Sequence, residues 1–269
     1  MNWSNNLYNK YLVIITAENK EKYISDTIES CLDQNYVKRL KIIVVYSKLK
    51  NENYIKRKFK NKKKIIFLKC SVKKKLPMHD QLYKIEKATK FAKNEWILLL
   101  DGDDLFKKNK VQNLDNLNLN NNKIYLNSHL IFNKSILTTS PKTKKYKKWN
   151  LFKILFNDWP EKINTSSIIV HTKLLKKFYK LKKPYKWKYL AIDTQLILFA
   201  HYTKCLTFIK KELTIKREDI NNIDKKFSNY LTRIYWVRRY EQHTLTKQIS
   251  NRLNILDRFI TIIFMNIFK

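Results

Sequence analysis

The sequence predicts an α/β fold: a mostly parallel central sheet flanked by helices, followed by a C-terminal helical segment. In the first half, short continuous apolar runs alternate with stretches of helical periodicity, the pattern of a parallel sheet covered on both faces. After Pro184 there is no further proline, and residues 223–268 read mostly as helix. A third observation locates the functional end. The single glycine of the 269 residues, Gly102, lies in Asp101-Gly102-Asp103-Asp104, directly after an apolar run. In sheets of this kind ligands bind beyond the carboxyl ends of the strands.

The elements follow in order. Leu12-Val13-Ile14-Ile15 reads as a buried strand, and residues 20–34 place Tyr23, Thr27, Ile28, Cys31 and Leu32 on one helical face. Ile42 to Val45 and Ile65 to Leu68 are two further strands, with a helix over residues 80–93 through Leu82, Ile85, Ala88 and Ala92. Trp96 to Leu100 is a fourth strand and runs straight into Asp101. The asparagine-rich stretch 114–123 is a surface connection. Residues 124–132 and 166–171 are strands, and the Lys-rich stretch 142–148 with Trp149 to Pro160 is expected to cover the cleft. Residues 191–202 form a helix with Asp193 near its start, and six of the eight arginines lie beyond residue 215. The expected division is 1–217 for the main domain and 218–269 for a helical extension that packs on it or on a membrane surface.

Composition excludes several classes. Apolar residues at 44% and aromatics at 13% are too many for a disordered polar chain. No apolar run reaches the length of a membrane-spanning helix, and the N-terminus lacks a secretory layout, so a cytoplasmic protein is expected. Cys31, Cys70 and Cys205 form no CxxC, which argues against a disulfide framework or a zinc site. The net charge of +35 favours polyanions or an anionic membrane. It needs discounting, however. Lys, Asn, Ile, Tyr and Phe have A/T-rich codons, and average usage would give about 19 glycines. Base composition accounts for much of the lysine excess, and specific nucleic-acid binding is not expected.

Base composition does not explain why one glycine stays between two aspartates. An Asp-Gly turn is ordinary turn chemistry, but three carboxylates in four residues repel one another unless a cation sits among them. Mg²⁺ and Mn²⁺ commonly bridge such carboxylates to substrate phosphates. Glycine there implies a backbone conformation or close approach that a side chain would block.

Taken together, the motifs resemble family 2 glycosyltransferases of GT-A fold over roughly residues 10–245. Tyr11 to Gln34 resembles the family's opening strand, nucleotide loop and helix, and Trp96 to Phe106 its metal-binding acidic motif. Thr165-Ser166-Ser167 resembles a strand ahead of the acceptor site. Ala191-Ile192-Asp193 with Gln195-Leu196 resembles the helix carrying the catalytic base, and Arg238 to His243 the C-terminal Arg/His segment of some members. Three departures stand out: Tyr46-Ser47-Lys48-Leu49 replaces the usual Asp-Asp-Gly-Ser, the first loop has Thr16-Ala17-Glu18-Asn19 without the common proline, and Ile192-Asp193 replaces a Glu-Asp pair.

The resemblance implies an inverting, metal-dependent transfer of sugar from a nucleotide diphosphate sugar to an acceptor hydroxyl, in cell-surface polysaccharide or lipopolysaccharide synthesis. Asp193 is the expected general base, by the demand for a positioned carboxylate; its alternative is a first-turn aspartate serving the helix dipole. Asp103 is the expected first ligand of Mn²⁺ or Mg²⁺. Asp104 either joins it or holds the loop, and His243 is a further metal or phosphate contact. Thr16, Glu18, Asp101 and Gly102 are expected at the nucleotide. Arg238 and Arg239 are expected to clamp the diphosphate, since guanidinium groups bind phosphate bidentately. Trp159 is either a sugar-stacking ring or a core or lid aromatic. The expected acceptor is a glycan or lipid-linked molecule, and residues 258–269 either dock on the domain or dip into an anionic membrane interface. The alternatives are a GT-A-like binding protein without catalysis and a basic nucleic-acid-binding protein.

Overall fold

Side-chain alternation along the first strand already defines two cores. In β1 (Tyr11–Ala17), Tyr11, Val13, Ile15 and Ala17 enter one apolar cluster, while Leu12 and Ile14 enter the other. A strand buried on both faces requires helices on both sides. The computed structural model describes residues 10–70, 76–133, 136–139, 159, 163–181, 184–217, 229–251 and 254–268. The expected cleft cover, 142–148 and 149–160, lies outside the described residues apart from Trp159.

β1 is followed by α1 (Ile24–Leu32), β2 (Leu40–Tyr46), α2 (Glu52–Lys58), β3 (Ile65–Lys69), α3 (Pro77–Thr89), β4 (Trp96–Asp101), β5 (Leu105–Phe106) and α4 (Lys110–Asp115). Then come β6 (Ile124–Asn133), β7 (Ile136–Thr139), β8 (Ile168–His171), α5 (Thr172–Tyr179), α6 (Ile192–Tyr202), β9 (Leu206–Arg217), α7 (Arg233–Ser250) and α8 (Ile255–Ile267). The sheet order is β3-β2-β1-β4-β8-β6-β9-β5, with β7 paired to β6. α1 and α2 cover one face through Ile24, Ile28 and Ile55, and α3, α5 and α6 cover the other through Leu82, Leu175 and Leu196.

The first four strands in spatial order are parallel. Beyond β4 the sheet becomes mixed, because β8 runs antiparallel to both β4 and β6, while β9 is parallel to β6. That reversal has a positional consequence. The start of β8 and the ends of β1, β4 and β9 meet at one edge of the sheet. The sequence pattern missed β9, where Lys210-Lys211-Glu212 interrupts the apolar run and a register shift at Asn127–His129 of β6 absorbs the irregularity.

The C-terminal helices form an antiparallel pair on α6. Leu245 of α7 joins Leu190 and Leu198 in a third apolar cluster with Trp159 and Trp187. Among the described residues, no helix is long and apolar enough to cross a membrane.

Candidate functional site

The site is built outward from the register of β1 and β4, which sets Thr16 opposite Asp101. Asp101 Oδ1 accepts hydrogen bonds from Gln81 Nε2 at 2.7 Å and Thr16 Oγ1 at 3.3 Å. The chain then turns, with the Gly102 N–H donating to Thr16 O at 2.9 Å and the Thr27 hydroxyl donating to Gly102 O at 3.1 Å. A Cβ on Gly102 would lie 3.0 Å from Thr16 O and 3.2 Å from Ala17 Cα. Its φ is not positive. Close approach of the neighbouring strand β1 thus leaves little room for a side chain at this position, and no left-handed turn is involved.

The three carboxylates of the turn point to different partners. Asp103 pairs with the Lys20 ammonium. Asp104, 3% exposed, accepts from Ser166 Oγ at 2.6 Å, Asn164 Nδ2 at 3.3 Å and the Arg217 N–H at 3.0 Å. Ser166 in turn accepts from the Asp101 N–H at 3.0 Å. Asp104 thus ties together β4, the turn before β8 and the end of β9, which is the loop-holding role. Lys110 supports it from below, donating to Ser166 O at 3.0 Å and to Thr214 Oγ1 at 2.9 Å. Burial pushes this ammonium down to about 7.

Asp193 arrives from 92 residues away, in the first turn of α6. Its Oδ1 accepts from the Thr194 hydroxyl at 3.2 Å, and that hydroxyl accepts from Arg238 Nη2 at 3.1 Å. Glu241, on the same helix as Arg238, accepts from the N–H groups of Lys188 at 2.7 Å and Tyr189 at 2.8 Å. α7 therefore grips both the first turn of α6 and the segment leading into it. Asp193 is near enough to Asp101 to raise its pKa. Desolvation is the largest cause of that rise, followed by the charges of Asp104, Asp103 and Asp193, with Lys20 opposing. Asp104 is raised to about 6 by burial and by Asp103, against the pull of its three hydrogen bonds. Burial alone would lower Lys20, but Asp103 and its neighbours outweigh that and raise it.

The first loop has its own network. Glu18 Oε2 accepts from the N–H groups of Ser47 at 3.3 Å and Lys48 at 3.4 Å, from the Ser47 hydroxyl, and from Lys84 Nζ at 2.7 Å. The Lys84 side chain is 1% exposed and also pairs with Asp80 at 2.6 Å. A carboxylate thus sits at the end of β2, where the usual Asp-Asp-Gly-Ser is replaced, but it comes from the loop after β1. Burial opposes ionisation of Glu18, and the Lys84 and Ser47 hydrogen bonds outweigh it, so its pKa is lowered.

Two expected site residues are placed elsewhere. The Arg239 guanidinium meets both oxygens of Asp257 at 2.8 Å and lies over the Trp159 ring, so it joins α7 to α8 instead of reaching the carboxylate turn. His243, 1% exposed, packs 3.6 Å from Asp257, 3.3 Å from Thr261 Oγ1 and edge-on to Trp159. Trp159 itself is buried at 9% exposure and donates to Tyr202 Oη at 3.1 Å, which is the core-aromatic alternative. Lys20, Gln81, Lys84 and Asn164 were missed. Nothing in the sequence separates Lys20 from the other lysines.

Among the described residues, no group of three or more His, Cys, Asp or Glu side chains converges on a point that would hold a metal ion. A hard cation bound through one or two carboxylates, with phosphates and water completing its shell, needs no such cage. Asp103, with Asp101 beside it, meets that smaller requirement, and their mutual repulsion gives an added cation a favourable place.

The sequence model described as Glycosyl transferase family 2 matches residues 12–179. No curated protein matches the sequence. Among solved structures, S. aureus TarS 1–349 in complex with UDP-GlcNAc is similar with a TM-score of 0.63 and 16% identity, over 96% of this chain and 71% of that one. The same protein in complex with UDP gives 0.61 and 15% identity, over 96% and 70%. The mannosyltransferase PcManGT from Pyrobaculum calidifontis, in complex with GDP-Man and Mn²⁺, gives 0.55 and 10% identity, over 97% and 75%. At these identities the likeness is one of fold, the GT-A type.

Proposed function

The chain belongs to glycosyl transferase family 2, and from that premise we propose that it transfers a sugar from a nucleotide diphosphate sugar to an acceptor hydroxyl with inversion. The observation that carries the proposal is that Asp103 and Asp193 both lie close enough to Asp101, at the end of β4, for their charges to act on it. One set of carboxylates suits the donor diphosphate and the other suits a base.

In this reading Thr16 and Glu18 border the nucleoside end of the donor, and Glu18 supplies the acidic contact that Tyr46-Ser47 does not. Asp103 with Asp101 would hold a divalent ion, Mn²⁺ or Mg²⁺, which would supply positive charge against the leaving diphosphate. Lys20 gives up Asp103 on donor binding and turns its ammonium to the phosphates. Asp104 keeps the turn in place through Ser166 and Arg217. Asp193 accepts the proton of the acceptor hydroxyl as it attacks the anomeric carbon, held in position by Thr194 and Arg238. The acceptor is a glycan or lipid-linked hydroxyl, as in cell-surface polysaccharide or lipopolysaccharide synthesis.

The test is a panel of nucleotide sugars with Mn²⁺, read by released nucleoside diphosphate. One donor is expected to be turned over, and Asp103→Asn to lower that rate by at least about a hundredfold. Donor binding without turnover across the panel would favour the non-catalytic binding protein.

A further inference from the structure

α8 is turned inside out for a helix facing water. Its inward side carries Asp257 and Thr261, 1% and 0% exposed, which meet Arg239 and His243 of α7. Its outward side carries Ile255, Phe259, Ile263 and Ile267, at 75%, 60%, 40% and 61% exposure. Residues four apart on a helix form one stripe. At the far end Phe264 stacks on Trp236 at 4.6 Å, and the indole donates to Tyr230 O at 2.7 Å. That contact brings the exposed Tyr230 and Leu231 beside the helix. Scattered exposed apolar residues need no explanation, but a continuous stripe does.

The surrounding charge indicates what covers it. Residues 229–269 contain seven Lys/Arg and two Asp/Glu. Both acids face inward: Glu241 onto the backbone of Lys188 and Tyr189, Asp257 onto Arg239. Arg233 and Lys247 are exposed. The helix pair therefore presents apolar and cationic groups and, among the described residues, no exposed carboxylate. A protein partner of ordinary mixed charge does not require this one-sided arrangement, whereas an anionic lipid surface rewards both components. With 13 residues, the helix is ~20 Å long, short of the ~30 Å hydrocarbon core, so it lies in the interface and does not cross it.

We propose that α8, with the start of α7, docks the protein on an anionic membrane surface, apolar stripe in the acyl boundary and cations among the headgroups. α7 also holds Arg238 on Thr194 beside Asp193. Docking therefore keeps the base end of the site near the bilayer, where a lipid-borne acceptor arrives; this last step rests on the function proposed above.

The test is co-sedimentation of the full chain with vesicles of phosphatidylcholine, with and without phosphatidylglycerol, alongside a Phe259→Ser/Ile263→Ser variant. Both positions are exposed, so an unchanged melting temperature and unchanged donor turnover in solution certify the variant. The expected result is binding to phosphatidylglycerol vesicles that weakens with salt and falls at least about tenfold in the variant. Failure of the parent chain to bind anionic vesicles, or equal binding by the variant, overturns the proposal. So does a parent dimer in sedimentation velocity that the variant makes monomeric without any vesicle binding, because the stripe would then serve a second copy. Since vesicle binding is read without a sugar donor, its failure is distinct from failure of the transfer reaction.

Discussion

Two sets of carboxylates in this protein are handled in opposite ways. In the C-terminal helix pair, Asp257 has a dedicated guanidinium that reaches both of its oxygens. At the end of β4, Asp101, Asp103 and Asp104 crowd together with Asp193 nearby, and Lys20 pairs with Asp103. The first arrangement is complete without a ligand. In the second, burial and mutual repulsion raise Asp101 and Asp104, and it improves with added positive charge. Under the proposed function the first pairing is structural, and the carboxylate turn beyond the strand ends is the place for a charged ligand.

The largest effect that would sharpen this contrast is chemical. Asp193→Asn should lower kcat by about 10²–10⁴ while the donor KM stays close to the parent value, as measured by steady-state transfer. A variant of full activity would move the base elsewhere. On the other side of the comparison, Arg239→Met should cost about 3–5 kcal/mol of stability in denaturant unfolding, because the buried Asp257 loses its guanidinium. Its donor KM should not change. A stable Arg239→Met protein with weakened donor binding would return that arginine to the diphosphate.

Gly102→Val lies between the two regions in kind. The added side chain meets the backbone of Thr16 and Ala17, so a loss of about 1–3 kcal/mol is expected from overpacking. Unchanged stability with impaired nucleotide binding would instead assign the glycine to the ligand.

How far the sequence could be read depends on how local each signal was. β1, β2, β3 and β4 each contain an uninterrupted apolar run of four or five residues, which sets their strand character locally. β9 was hidden because its lysines break the pattern and its pairing comes from β6, more than eighty residues earlier. Lys110 was invisible for the opposite reason: in a chain with so many lysines, a fully buried one looks like any other. The Asp-Gly-Asp-Asp turn was found at once, since three acids after an apolar run are rare. Whether Asp104 joins Asp103 or holds the loop stayed open in the sequence, because Ser166, Asn164 and Arg217 reach Asp104 only through the reversed strand and the end of β9. Arg238 and Arg239 are adjacent in sequence but point to different helices, which spacing alone does not predict. Glu18 was expected at the nucleotide, but its anchoring to Ser47 and Lys48 follows from the β1–β2 register, which no motif records.

The most direct measurement is thermal unfolding with Mn²⁺ and a nucleoside diphosphate, for the parent chain and Asp103→Asn. If the carboxylate turn is short of positive charge and receives the diphosphate through a cation, the parent should be stabilised by about 2.7 kcal/mol at a ligand concentration near a hundred times Kd. The Asn variant should respond little. Equal stabilisation of both proteins, or none of the parent, would contradict the account.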